Sequence, residues 1–192
     1  MKIEIADNLN SIGGYAFAEV DEIVNDLKAK GIEPIDFGVG DPSEPTPEFI
    51  RRRVQESIDE HATTGYPSYV GSEKFRLAIS SWMKNRFGVD LDSKTEISSA
   101  IGAKEAVVNF SRCLINPGDI AIIPSPGYPP YKNGAILCGG VPYFVPLLEK
   151  NNFLIDYKSI PEDIADRAKI IWINYPNSPT GVCADREYYE GL

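Results

Sequence analysis

The chain has 192 residues, 43% of them apolar and 10% aromatic, which is ample for one packed domain and short for two. Its 19 Lys and Arg against 28 Asp and Glu leave a formal charge of −9, a balance that repels nucleic acid and anionic lipid. The cysteines, Cys113, Cys138 and Cys183, have neither CxxC nor zinc spacing and His61 is the single histidine, so no metal site is expected and a reducing, cytoplasmic setting is.

The opening "MKIEIADNLN" carries acidic residues early and no long apolar core, so it reads neither as a signal peptide nor as a membrane anchor. From Tyr15 to Lys30, Phe17, Val20, Val24 and Leu27 recur at helical spacing, and Gly31 supplies a stop. "PIDFGVG", Pro34 to Gly40, reads as a short strand with a glycine-rich exit. After the loop "DPSEPTP", Thr46 can cap a helix with Pro47 at its first position, and that helix places Phe49, Ile50, Val54 and Ile58 on one face. Arg51-Arg52-Arg53 within it reads as a solvated surface.

Beyond the polar loop "HATTGYPSYVG", Ser72 starts a helix carrying Phe75, Ile79, Trp82 and Met83 and closing near Gly88. "TEISS" is strand-like and "AKEAVVNFSRCLI" helix-like; the sequon Asn109-Phe110-Ser111 inside that helix is read as coincidence. Then come the turn "NPGD", the strand "IAIIP", a Tyr/Pro-rich turn, the helix "YKNGAILCG", the strand "VPYFVPL", a longer helical connection, and the strand "KIIWIN". Strands separated by helical segments predict right-handed βαβ crossovers, hence an α/β three-layer sandwich around a mainly parallel sheet, preceded by an N-terminal arm and helix over residues 1–33.

Ligands of such sheets bind outside the carboxyl ends of the strands, and three ends here carry suitable chemistry. "EISS" runs into Ala100-Ile101-Gly102-Ala103-Lys104, where the free N–H groups of a first helical turn and the Lys104 ammonium could hold an anion, although a plain strand-to-helix turn also favours glycine. "IAIIP" runs into "SPGYPPYKNG", whose prolines stiffen a turn bearing Tyr128 and Tyr131, suited to stacking on a flat ligand or to covering the end of the sheet. "KIIWIN" runs into Asn174, Asn177, Ser178 and Thr180 around Pro176 and Pro179, more polar groups than a turn needs for its own geometry. Together they describe a planar ring bearing a phosphate.

"GVGDPSEPTP", "YPSYVGSEKFRLAI", "IGAKEAV", "NPGDIAIIPSPGYPPY" and "NYPNSPTG", in this order, resemble the class I/II aminotransferases that use pyridoxal 5'-phosphate (PLP). The opening "GGYAFAEVDEIVNDLKAKGIEPIDFGVGDPSEPTP" is similar to the start of LL-diaminopimelate aminotransferases. The resemblance implies the large domain of a fold type I PLP enzyme, here residues 34–192 as a partial cofactor domain. It implies that the Ala103 amide meets the phosphate, that Lys104 borders the cofactor and substrate, that Tyr128 stacks on the pyridine ring at the substrate's edge, and that Tyr66 crosses a homodimer interface to the partner's phosphate in a shared active site. Tyr15 and Gly40 match substrate-side positions, Gly40 offering its backbone to the α-carboxylate.

The sequence departs from the family in two places. The family usually reads Asn-Pro-Thr-Gly where this chain has Ser178-Pro179-Thr180-Gly181, so either Ser178 or a shifted Asn177 bonds the cofactor's phenolic oxygen. The lysine that forms the Schiff base, the aspartate of the pyridine nitrogen and the carboxylate-binding arginines are all expected beyond residue 192, so no catalytic residue is assigned within the chain, and it is expected to be inactive alone. The implied reaction is transamination between an amino acid and a 2-oxo acid, with LL-diaminopimelate and 2-oxoglutarate, substrates of lysine biosynthesis, as the candidates. A PLP-dependent lyase of the same fold, or an aminotransferase-like ligand sensor without catalysis, fits the same motifs.

Overall fold

A computed structural model of the chain describes residues 3–14, 16–35, 37, 40, 42–63 and 65–192, with the backbone alone at positions 16 and 17. The chain forms two compact units, Met1–Gly13 with Ala100–Leu192, and Gly14–Ser99.

The first unit is built on three parallel strands, β1 (Ile120–Ser125), β2 (Val141–Pro146) and β3 (Ala168–Ile171), in the order β2-β1-β3. β1 runs in register with β2 from Ile120 opposite Val141 to Ser125 opposite Pro146, and its pairing with β3 carries an irregularity between Ile120 and Ala121. A central parallel strand is covered on both faces, which is why Ile120 to Pro124 form an unbroken buried run. Ala121 and Ile123 meet Ile115, Tyr131, Ala135 and Ile170 on one face; Ile120 and Ile122 meet Val145, Leu147 and Ile155 on the other. Each of these large side chains contributes about 1.5–3 kcal/mol by leaving water.

Helices α5 (Ala103–Leu114) and α6 (Pro129–Leu137) supply the first face, and Ile164 of α7 (Glu162–Arg167) is packed against the second. The expected three-layer α/β sandwich with a parallel sheet is therefore observed. Between α5 and β1 the "NPGD" turn is closed by the Asn116 N–H donating to the Asp119 carboxylate at 2.9 Å and the Asp119 N–H donating to the Asn116 carbonyl at 3.0 Å.

Four details differ from the sequence reading here. α6 begins at Pro129, two residues earlier than expected, because proline at the first helical positions gives up N–H groups that the helix does not use. The "KIIWIN" strand stops at Ile171, although the Trp172 N–H still donates to the Ile122 carbonyl at 3.0 Å. The connection before β3 holds two single 3-10 turns, Glu149–Asn151 and Tyr157–Ser159, besides α7. A short helix near the N-terminus, α1 (Asp7–Ile12), packs on α6, and the Lys132 ammonium donates to the Ile12 carbonyl at 3.3 Å.

The second unit holds α2 (Ala16–Ala29), α3 (Glu48–Glu60) and α4 (Glu73–Phe87). α4 has the expected ends: the Ser72 hydroxyl accepts from the Phe75 N–H at 3.1 Å, and Gly88 closes it in the left-handed region. Thr46 does not cap α3. Pro47 takes that place, one residue later, with no side-chain bond. Phe49, Ile50, Val54 and Ile58 of α3 are all exposed.

Neither strand expected in this region forms among the described residues. The start of "TEISS" is drawn into a turn, since the Asp92 carboxylate accepts from the Lys94 N–H and the Thr95 hydroxyl, and the Ser99 N–H donates to the Val70 carbonyl at 3.3 Å. Of Pro34 to Gly40, Asp36, Gly38 and Val39 lie outside the described residues, and the rest are not in a strand; Ile35 and Phe37 are exposed. Among the described residues no helix is long and apolar enough to cross a membrane.

Candidate active site

β1 and β3 are parallel neighbours, so their carboxyl ends open on one edge of the sheet. α5 spans about 18 Å and β1 about 20 Å. The tight turn between them reverses the chain, returning the N-terminus of α5 to that same edge.

At that N-terminus Gly102 is the capping residue, with φ 87° and no side-chain cap. A residue with a Cβ would be strained at this φ, so glycine permits the entry. The first helical bond runs from the Ala106 N–H to the Gly102 carbonyl at 3.3 Å, leaving the amides of Ala103, Lys104 and Glu105 without a helical acceptor. The Glu105 carboxylate turns back to accept from the Ile101 N–H, outside that set. The Lys104 side chain is exposed beside the three free amides. A helix N-terminus of this kind is suited to an anion such as a phosphate.

The exit of β1 is tight: a Cβ on Gly127 would lie 2.4 Å from the Pro124 carbonyl oxygen. The two tyrosines that follow separate in role. Tyr131 is 6% exposed and stacks on Trp172, with centroids 4.9 Å apart and planes 14° from parallel. Burial, and then its neighbour Tyr128, push its phenol above the usual value. Tyr128 is half-buried, precedes the first turn of α6, and meets Tyr131 edge-on at 5.7 Å. Tyr131 therefore belongs to the core, and Tyr128 packs against that core while remaining half-buried.

The polar turn after β3 resolves in the same manner. Asn177 is 4% exposed, and its carboxamide donates to the Thr180 hydroxyl at 3.0 Å. Its N–H donates to the Val182 carbonyl at 2.9 Å, and its carbonyl accepts from the Gly181 N–H at 2.7 Å. The backbone N–H and carbonyl of Asn177 and its carboxamide N–H are thus engaged by the turn, while Ser178 is exposed.

In the sheet unit, Tyr128 follows the carboxyl end of β1, Asn177 and Ser178 follow that of its parallel neighbour β3, and Ala103 and Lys104 begin α5. Gly40 and Tyr66 belong to the helical unit. Gly40 is exposed, with nothing within 4 Å of where a Cβ would stand, and Tyr66 is fully exposed at a bend. Tyr15 lies outside the described residues. Three contributors escaped the sequence reading. Trp172 backs Tyr131, touches Phe110 at 5.9 Å and buries its indole N–H without an acceptor among the described residues. Tyr175 and Tyr188 bond across the start and the far side of the turn region. No local pattern marks any of them, because each acts through partners distant in sequence.

The family model of class I and II aminotransferases matches residues 32–192. The chain is 47% identical over 190 residues to an LL-diaminopimelate aminotransferase of Halothermothrix orenii, covering 99% of this chain and 49% of that protein. It is 48% identical over 189 residues to the LL-diaminopimelate aminotransferase of Aquifex aeolicus, covering 98% and 49%. Among solved structures, apo-BacF from Bacillus subtilis superposes with a TM-score of 0.91 at 33% identity, over 98% of this chain and 48% of that one. The chain spans about half the length of the proteins it matches. Sequence and fold agree that it belongs to the class I and II aminotransferases.

Proposed function

We propose that the protein carrying this chain is a PLP-dependent aminotransferase, and that its amino donor is LL-diaminopimelate with 2-oxoglutarate as acceptor, in lysine biosynthesis. The names of the relatives support the substrate, and the edge of the sheet supports the cofactor. PLP has a phosphate, a flat ring and a phenolic oxygen. The three free amides of α5 with Lys104, the half-buried ring of Tyr128 and the exposed hydroxyl of Ser178 fit those groups in turn. The reading is supported by the topology, in which Tyr128 and Ser178 follow the carboxyl ends of the parallel neighbours β1 and β3.

In this reading the Ala103 amide and its neighbours hold the phosphate, and Lys104 adds a charge-assisted bond at the border with the substrate. Tyr128 orients the ring from one face and narrows the substrate's approach. Ser178 donates to the phenolic oxygen, a role its exposure favours over Asn177, which is buried with its carboxamide N–H on Thr180. When bound, PLP supplies an electron sink for the pair left behind as the substrate's α-proton departs. Gly40 offers its backbone to the substrate's α-carboxylate, and Tyr15 recognises the polar far end of a long donor. The covalent lysine comes from outside residues 1–192, and the chain alone is inactive. The division into an arm over residues 1–33 and a cofactor-binding part over 34–192 follows these roles. The protein works as a homodimer with shared sites, in the cytoplasm, where its free cysteines stay reduced.

The test is a PLP titration of the full-length protein followed by absorbance. Wild type takes up PLP with a new absorbance band and forms glutamate from LL-diaminopimelate and 2-oxoglutarate; Lys104→Ala binds PLP roughly 10- to 100-fold more weakly. A protein that stays colourless in excess PLP overturns the reading. One that colours but leaves LL-diaminopimelate untouched overturns the substrate alone.

A further inference from the structure

Ile155, in the connection between β2 and α7, is 2% exposed, and its side chain belongs to the second core with Ile120 and Ile122. Two phenols bracket its backbone. The Ile155 N–H donates to the Tyr175 hydroxyl at 3.0 Å, and the Tyr188 hydroxyl donates to the Ile155 carbonyl at 3.1 Å. The two hydroxyls are 3.4 Å apart. A phenol has one proton, and Tyr188 has given its proton to Ile155, so Tyr175 donates to Tyr188. The three bonds close a ring in which each hydroxyl both donates and accepts.

The ring is held at its far side, where the Asp185 carboxylate accepts from the Tyr188 N–H at 2.8 Å and starts the short helix α8 (Arg186–Glu190). The tyrosine rings meet edge-on at 5.5 Å. Burial first, then the bond with Tyr175, keep the Tyr188 phenol protonated far above the usual range. Tyr175 stands three residues before Ser178, and little between them can yield. The Asn174 carboxamide donates to the Pro176 carbonyl at 3.3 Å, and Asn177 is held by Thr180, Gly181 and Val182.

We propose that Tyr175 and Tyr188 are positioning residues for the cofactor: their hydrogen-bonded ring around Ile155 ties the turn to the second core of the sheet and sets where the Ser178 hydroxyl stands. The inference rests on the proposed bond from Ser178 to the phenolic oxygen of PLP. Packing alone would need only the rings, which phenylalanine supplies. The hydroxyls are needed for placement.

The experiment uses the full-length protein with PLP and reads the pH midpoint of the cofactor's absorbance, together with hydrogen exchange at the Ile155 amide in the cofactor-free form. A donor to the phenolic oxygen favours its more negative, deprotonated form, so Ser178→Ala raises the midpoint by roughly 0.4–1 pH unit. Tyr175→Phe raises it by part of that amount, adds nothing when combined with Ser178→Ala, and speeds exchange at Ile155 several-fold. Tyr188→Phe, which opens the ring on the carbonyl side, gives the same pattern and serves if Tyr175→Phe does not fold. A midpoint moved by Ser178→Ala and untouched by either phenylalanine overturns the positioning role and spares the function. A shift by Tyr175→Phe that adds fully to that of Ser178→Ala also overturns it. A midpoint unmoved by Ser178→Ala removes the premise, and a protein colourless in excess PLP removes the function with it.

Discussion

The Asn177 carboxamide and the Thr180 hydroxyl bond at 3.0 Å inside a turn that buries the first and leaves Ser178, between them, in solvent. The two neighbours should therefore fail differently. Asn177→Ala removes a bonded side chain from a buried site and should cost about 1–3 kcal/mol of unfolding free energy in the cofactor-free protein. Ser178→Ala should stay within about 0.5 kcal/mol while weakening PLP binding. Urea unfolding and PLP titration of both variants measure this; a stable Asn177→Ala protein that no longer binds PLP would reverse the two roles.

The crossing of α5 and α6 gives a prediction independent of any ligand. A Cβ on Gly134 would lie 2.7 Å from the Ser111 hydroxyl and 3.1 Å from its Cβ, and Ser111 is completely buried. Gly134→Ala should cost about 1–3 kcal/mol by forcing the helices apart. Ser111→Ala in the same protein should recover part of that cost, because it removes the nearest atom. The non-additivity of the double variant, read from denaturant unfolding of the full-length protein, checks the contact; strictly additive costs would refute it.

What the sequence made legible was mostly local. Ser72 and Gly88 end α4 as expected, because a cap bond and a left-handed residue act within one turn of chain. Proline was ambiguous: at positions 129 and 130 it starts a helix, where the pattern suggested a turn. Strands were legible where βαβ neighbours covered both faces, whereas "TEISS" has no strand partner among the described residues. The candidate site followed the same division. The amino end of α5 is a local property, whereas which of Tyr128 and Tyr131 is buried depends on Trp172, some forty residues on by the numbering. That Asn177 is buried and Ser178 exposed likewise depends on bonds to Thr180 and Val182 that polarity alone does not rank.

Acid should loosen the turn at Asp92. Bonds from the Lys94 N–H and then the Thr95 hydroxyl hold the Asp92 carboxyl below its ordinary value. A carboxyl depressed by folding lends stability that is present above its unfolded value and disappears as pH falls through the lower folded one. The difference in urea midpoint between wild type and Asp92→Asn should therefore be constant near neutrality and vanish in acid below the usual carboxylate range. A difference that persists unchanged at the lowest pH would show that the carboxylate's charge is irrelevant to the turn.

Tyr66 is a large aromatic side chain with its entire surface exposed, at a bend after the polar "HATTG" segment. Within residues 1–192 the ring gains nothing from burial, and the proposed encounter is with the partner subunit's phosphate site. Tyr66→Phe should leave stability within about 0.5 kcal/mol and weaken PLP binding roughly 10- to 100-fold through loss of one bond to a charged group. Mixing distinguishes a shared site from a separate one. Heterodimers are formed from one subunit carrying Tyr66→Phe and another whose covalent lysine has been replaced. If Tyr66 serves the neighbour, one of the two sites regains both an intact tyrosine and an intact lysine, and the heterodimer should approach half of the wild-type activity per dimer. If Tyr66 serves its own subunit, each site lacks one of the two groups, and the purified heterodimer should do no better than the Tyr66→Phe homodimer.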